Sequence, residues 1–204
     1  MRFSDVAVQR MLEALDESVA TGAKFGSLHT AYSSSGANEV TGGSPAYARK
    51  GLTWAAASGR SKATSAAAVF DVPGGTTIRW IGLSDAVTAG TFLGMVPNGG
   101  GIPEDFVVPD IANNVLEAPA HGFSNGNTVV VWAVPGAPLP APLVEGTVYY
   151  VGNVTTDDFT LSLTSGGAAI DITAVGSGFV QRIVEEIFGA QGTHTVTTAT
   201  MTLD

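Results

Sequence analysis

The chain has no cysteine in its 204 residues. That excludes a disulfide framework, a thiolate nucleophile and any zinc centre built on sulfur, and it suits oxidising and reducing surroundings alike. Charge is also scarce: Asp, Glu, Lys and Arg make up 13% of the residues, about half the usual share of roughly 25%. Unbroken apolar runs are missing as well. The most apolar uncharged stretch, VVVWAVPGAPLPAPLV, carries four prolines, so it cannot form a spanning helix of about 20 residues, and no membrane partner is expected. The start, MRFSDVAVQR, lacks the apolar core of a secretory signal, so the mature protein is expected to begin at or near Met1.

Basic residues are confined to one end. Residues 1–79 hold eight of them against six acids, whereas residues 80–204 hold Arg182 alone against twelve acids. An acidic two-thirds repels a phosphate backbone, which argues against nucleic acid as a partner. A charge-poor chain keeps its solubility most simply by covering surface with copies of itself or with neighbours, so an assembly subunit is expected.

What the chain does have is 26 glycines and 10 prolines spread among apolar residues, the composition of many short strands. The reading is a mainly β protein, an antiparallel β-sandwich-like domain with one N-terminal helix and an inserted small β-module. The helix is SDVAVQRMLEALDESVA, capped by Ser4 or Asp5, with Val8, Met11, Leu12, Leu15 and Val19 on one apolar stripe. A long loop follows, SLHTAYSSSGANEVTGGSPAYARKGLTW, with His29 in it. Strands then begin: KATSAAAVFDV places Ala68, Phe70 and Val72 on one face, PGG turns the chain, TTIRWIGLS sets Ile78 and Trp80 opposite Ile81 and Leu83, and DAVTAGTFLGMV adds another.

PNGGGIPEDFVVPD reads as a connector. From Val115 to about Val175 five short strands recur: NNVLEAPAHGF, NTVVVWAV, GTVYYVGNV, DFTLSLT and AAIDIT. GSG closes this module, FVQRIVEEIFG leads away, and His194 opens a last strand in which Ala199, Met201 and Leu203 alternate. The expected division is a split β-domain of residues 1–110 and 180–204 around an inserted module of residues 111–179.

The stretch AHGFSNGN sets His121 near Ser124, the residue types of an acyl-transfer site. Ser124 is followed by a strand rather than the helix of a nucleophile elbow, so SNGN reads as a type I′ hairpin turn on Asn125-Gly126, with His121 bonded to local backbone or packed beside Phe123. His29, His121 and His194 have no ligand spacing, so no metal site is expected. The adjacent acids Glu104-Asp105, Asp157-Asp158 and Glu185-Glu186 point to opposite faces of a strand, which is wrong for a glycosidase pair, and TTDDF reads as a turn rather than a calcium loop. No catalytic residue and no cofactor are expected. Trp54, Trp80, Trp132 and the Tyr149-Tyr150 pair fall within apolar strand patterns, which favours core burial over a sugar platform. Tyr47, Arg49, Lys50, Arg60 and Lys62 gather much of the basic charge in one region, a possible contact with the acidic face of a neighbouring subunit.

NEVTGGSPAYARKGLTW, AAVFDVPGGTTIRWIGLSDAVTAGTFLG and FGAQGTHTVTTATMTL together resemble small tail-fibre-like or minor structural proteins of tailed bacteriophages. The stretch from APAHGFSNGNTVVVW to FTLSLTSGGAAIDI is similar to a β-module common in phage tail and virion proteins. The resemblance implies a non-enzymatic virion component, made in the host cytoplasm and incorporated into the particle. Its implied partners are other virion proteins and copies of itself as a homo-oligomer. Capsid decoration, a head-to-tail joint and binding of a host surface glycan by the module are the alternatives.

Overall fold

A computed structural model describes residue 7 and residues 10–14, 22–59 and 61–202. Its strands, in chain order, are β1 (Phe25–His29), β2 (Lys50–Gly51), β3 (Ser61–Ala63), β4 (Ala68–Val72), β5 (Thr76–Ile78), β6 (Trp80–Ser84) and β7 (Phe92–Pro97). Then come β8 (Glu104–Val108), β9 (Leu116–Glu117), β10 (Thr128–Ala133), β11 (Tyr149–Gly152), β12 (Asp158–Ser162) and β13 (Gly176–Ile183), and finally β14 (Glu186–Phe188), β15 (Gly192–Val196) and β16 (Thr200–Thr202). Contacts divide the chain into two units, Met1–Val96 with Glu186–Asp204, and Pro97–Glu185.

The first unit is built on a four-stranded sheet of order β2-β1-β6-β7, with two-stranded ladders β14-β5, β15-β4 and β16-β3. The period-two pattern of AVFDV explains β4: Ala68, Phe70 and Val72 are buried while Val69 is half exposed. Their buried face shares one core with Leu28 of β1, Ile81 of β6 and Val196 of β15. TTIRWIGLS forms two strands rather than one. Arg79 interrupts it, donating its N–H to His29 O at 3.1 Å and its guanidinium to Thr30 O at 3.0 Å. Trp80 through Ser84 are then buried on both faces.

Of the N-terminal helix, residues 10–14 are described, and they are helical. Leu12 is fully buried and Met11 is not. Glu13 accepts a hydrogen bond from Ala57 N at 2.5 Å and pairs with the buried Lys62 of β3. Ser4, Asp5, Val8, Leu15, Val19, Arg60 and Leu203 lie outside the described residues.

The second unit is a closed antiparallel barrel of order β10-β11-β12-β9-β8-β13. Phe106, Val129, Val131, Phe159, Leu161 and Val180 fill its interior. Three readings of the sequence are corrected here. PNGGGIPEDFVVPD is no mere connector, since its EDFVV is β8 and pairs with β13 from Glu104↔Val180 to Gly176↔Val108. GSG does not close the module but opens β13, its longest strand. A Cβ at Gly178 would lie 2.6 Å from the Phe106 ring and 2.7 Å from Trp132 O, so a side chain there would drive β13 off its neighbours. AAIDIT, in turn, makes no ladder. It is an extended segment pinned by Ile170 N to Leu161 O at 2.7 Å, Ile172 N to Asn114 Oδ1 at 2.7 Å and Thr173 N to Ala141 O at 2.8 Å.

The ends of this unit are fastened to each other. Val184 N donates to Asn98 O at 2.7 Å, and Asn98 Nδ2 donates back to Val184 O at 3.0 Å.

Candidate functional site

His121 and Ser124 do not form a catalytic pair. His121 Nδ1 accepts the Phe123 N–H at 2.9 Å, and its ring packs against Phe123 and Phe159 with centroids 4.9 and 5.0 Å away. The expected local role of His121 is what the structure shows. SNGN does form a tight turn, with Asn127 N donating to Ser124 O at 3.0 Å. It is nevertheless not a type I′ hairpin. Only Gly126 of the central pair has positive φ (84°), as in a type II turn, and the flanking strands β9 and β10 are not paired with each other.

A serine and a histidine do meet elsewhere. Ser27 and His29 are two apart on β1, and so share a face. Ser27 Oγ lies 2.8 Å from His29 Nε2, and His29 Nδ1 lies 2.9 Å from Ala37 O. A carbonyl can only accept, so Nδ1 carries the proton and Nε2 accepts the serine hydroxyl, the tautomer a general base requires. Access is what is lacking. Ser27 is 1% exposed and His29 0%, Phe92 packs edge-on against the imidazole, and the backbone of Gly82 lies beneath both side chains. The pair therefore cross-links the sheet to the loop at Ala37. His29 is in a strand and not in the loop where the sequence reading put it, and His194 is in β15 rather than opening the last strand. The signal that could have found the pair is S-x-H at strand spacing.

The basic cluster is largely matched inside the chain. Arg49 grips Glu39 through Nε at 2.9 Å and a second nitrogen at 2.7 Å, and also donates to Ala86 O at 3.0 Å. Tyr47 accepts from Leu28 N at 2.8 Å and donates to Glu39 at 3.2 Å. Lys50 lies 3.6 Å from Asp71, and Lys62 pairs with Glu13. The Tyr47 and Arg49 contacts tie the long loop, residues 30–49, to β1 and to the turn after β6.

Two of these groups make stability depend on pH. Burial pushes the His29 pKa below its usual 6.5, against the opposing pull of Ala37 O and Glu39. Burial raises Glu39, but the Arg49 hydrogen bonds and charge outweigh it, with His29 and Tyr47 adding to them, and hold the carboxyl below its usual 4.5. The unfolded chain takes up each proton more readily than the folded chain. Stability is therefore full above the unfolded values, and falls first as pH drops below 6.5 and again below 4.5. Urea titrations across this range should show both steps, with Glu39→Gln reducing the lower one, to which Glu13, held low by its hydrogen bond from Lys62, also contributes; a flat profile from pH 7 to 4.5 would contradict the assignment to His29.

The aromatic residues are core or half-buried. Trp80 is 0% exposed and Tyr149 2%. Tyr149 also accepts Val144 N at 2.9 Å through its hydroxyl, which removes it as a sugar platform. Trp54 donates to Ala23 O at 2.6 Å. Among the adjacent acids, Asp157 accepts Ala120 N at 2.9 Å, the backbone role expected of it, while Thr155 Oγ1 accepts the N–H groups of both Asp157 and Asp158. Glu186 lies 2.6 Å from His194 Nδ1. Among the described residues no three His, Asp or Glu side chains converge as a metal site would require.

A polar concavity of about 250 Å³ lies on the barrel. Gly152, Thr160 and Ser162 line it on the outward face of β11 and β12, with Asn125, Asn153 and Gly166 at its sides. The neighbouring Tyr149, Val151, Phe159 and Leu161 point into the core, as strand alternation requires.

No curated protein and no solved structure matches the chain. Residues 2–98 match the family model described as Podophage GP4 fiber I protein gp80. The matched stretch coincides with the N-terminal part of the first unit and stops where the barrel begins. Over these residues, just under half of its length, the chain is similar to that phage fibre family.

Proposed function

We propose that the chain is a non-enzymatic, tail-associated subunit that joins the particle through its first unit and carries the barrel as an inserted module. The observation that carries this reading is the extent of the family match: it spans residues 2–98 and leaves the barrel outside. The buried Ser27–His29 pair, the one serine–histidine contact with a base-like arrangement among the described residues, offers no path to a substrate. Apolar side chains left in water give neighbours something to cover. Ile187 is 75% exposed and Val69 50% in the first unit, and burial of such groups drives association.

Contact with other virion proteins and with further copies of the chain, as a homo-oligomer, is part of the proposal. The region of Tyr47, Arg49, Lys50, Arg60 and Lys62 is one place for it. Because Arg49 and Lys62 already have acidic partners in the chain, such a contact would draw on the shape of the ordered loop and on the half-exposed Lys50–Asp71 pair. Synthesis in the host cytoplasm precedes incorporation.

Gold-labelled antibody against the chain, viewed on intact particles by electron microscopy, tests the position. Label confined to the tail supports the proposal. Label over the whole head would make it a capsid decoration protein, and label at the neck a joint component; either overturns the tail assignment.

A further inference from the structure

Strand alternation gives the barrel two unlike outward faces. On β11 and β12 the outward positions include Gly152, Thr160 and Ser162, which line the polar groove there. On β8, β13 and β10 the inward positions include Phe106, Val180 and Val131, so Val107, Phe179 and Trp132 point outward. Register sets these side by side: Trp132 is the cross-strand partner of Phe179, Phe179 of Asp105, and Ser177 of Val107. We infer that this second face binds a short segment of another protein, one that carries lysine or arginine beside apolar side chains. The inference goes beyond the virion role and does not depend on it.

The apolar character of the face is the first argument. Val107 is 44% exposed, and Val175, which by the same alternation lies on the side of Ser177 and Phe179, is 60% exposed. Phe179 and Trp132 are half-buried. Apolar residues scattered singly over a surface are ordinary, but a contiguous group on the outward side of a sheet marks a contact surface.

Charge then selects the partner. Asp105 and Glu117 are exposed on the same face, Glu117 as the cross-strand partner of Val107, and residues 97–185 hold nine acids against Arg182 alone. A second copy of the barrel would bring acids against acids, so the face does not suit self-association. A cationic partner is attracted to it and kept in place beside the two carboxylates. Size makes that partner a segment rather than a domain face. From Val175 to Phe179 the chain rises about 14 Å at roughly 3.4 Å per residue, and three strands span about 10 Å. Such a rectangle is a fraction of the roughly 800 Å² that each partner contributes to a standard interface.

The test is an amide NMR titration of the full chain with three short capped peptides, one alternating lysine and valine, one alternating glutamate and valine, and one alternating lysine and serine. The lysine–valine peptide should shift Val107, Ser177, Phe179 and Trp132 saturably, with a dissociation constant on the order of 1 mM, and should bind more weakly as salt is raised. The glutamate–valine peptide should not bind. The lysine–serine peptide should bind roughly 10-fold more weakly, because it leaves the apolar side chains in water. Val107→Ser and Val175→Ser should each weaken the lysine–valine peptide about 5-fold, and as surface changes they leave the fold in place. Asp105→Asn combined with Glu117→Gln should lower the affinity and flatten its salt dependence. Leu163 is also exposed but follows β12, which stands opposite β13 in the barrel order, so Leu163→Ser should change nothing. Unchanged amides of Val131 and Leu161 verify the fold of each variant. The proposal is overturned if the lysine–valine peptide gives no saturable shift on this face, if either control peptide binds equally well, or if binding survives both Val107→Ser and Val175→Ser.

Discussion

Replacing Phe159 by alanine should cost the barrel about 3–5 kcal/mol, the range for deleting a fully enclosed phenyl ring. Phe159 is 0% exposed in the barrel core. Its ring meets His121 at 5.0 Å and Phe123 at 5.4 Å, both edge-on, and such pairs add about 0.5–1.5 kcal/mol beyond burial. The same deletion strips contacts from the His121 imidazole, whose Nε2 is buried without a hydrogen-bond partner, so water entering the cavity would find a polar group waiting. Native-state hydrogen exchange of the β10 and β13 amides is the appropriate readout, because it reports the opening of this unit by itself. A loss below about 1 kcal/mol would mean that the site collapses around the deletion or that the three rings are not packed as described.

Gly82→Ala should be nearly as damaging, for the opposite reason. A Cβ at Gly82 would stand 2.4 Å from His29 Nε2 and 2.5 Å from Ser27 Oγ, far inside contact distance for groups that cannot retreat from a buried strand. Overpacking of this kind costs about 1–3 kcal/mol. Forcing the serine and histidine apart leaves buried polar atoms unpaired at about 1–3 kcal/mol more. A loss of roughly 3 kcal/mol in urea unfolding is expected, with exchange protection falling first in β1 and β6. A change within about 0.5 kcal/mol, the usual range for harmless surface substitutions, would refute the close approach.

These two positions show why the sequence was legible in places and opaque in others. Ala68, Phe70 and Val72 announce themselves because a strand with one buried face writes its burial at period two. The all-antiparallel, mainly β character followed from the same signal and from the glycine and proline content. β8 and β13 were hidden because their sequences carry the marks of connectors: EDFVV has prolines on both sides and two acids at its start, and GSGFVQRI opens with two glycines. The second of those glycines is there because Phe106 and Trp132 approach it from other strands, a requirement invisible along the chain. AAIDIT shows the converse. Its alternation is that of a strand, but its partners are the Asn114 side chain and scattered carbonyls rather than a ladder.

The candidate site divides along the same line. His121 could be read correctly because its contacts, Phe123 N and the Phe123 ring, are two residues away. Arg49 and Glu39 are ten residues apart, and nothing in the spacing of YARKG foretells that the guanidinium is answered from within the chain. The groove lay beyond reach for a further reason. It is assembled from Asn125, Asn153, Thr160 and Gly166, residues that a linear reading assigns to turns and strand ends, and their convergence is a product of the pairing of β11 with β10 and β12.

The mutual bonds between Asn98 and Val184 have a consequence for how such a chain can change over generations. A segment whose two ends are fastened to each other presents the rest of the polypeptide with a single point of attachment. It can be acquired, exchanged for another, or deleted in one recombination event without shifting the register of any strand on either side. Recombination could therefore replace the barrel while leaving the sequence of the first unit on either side untouched.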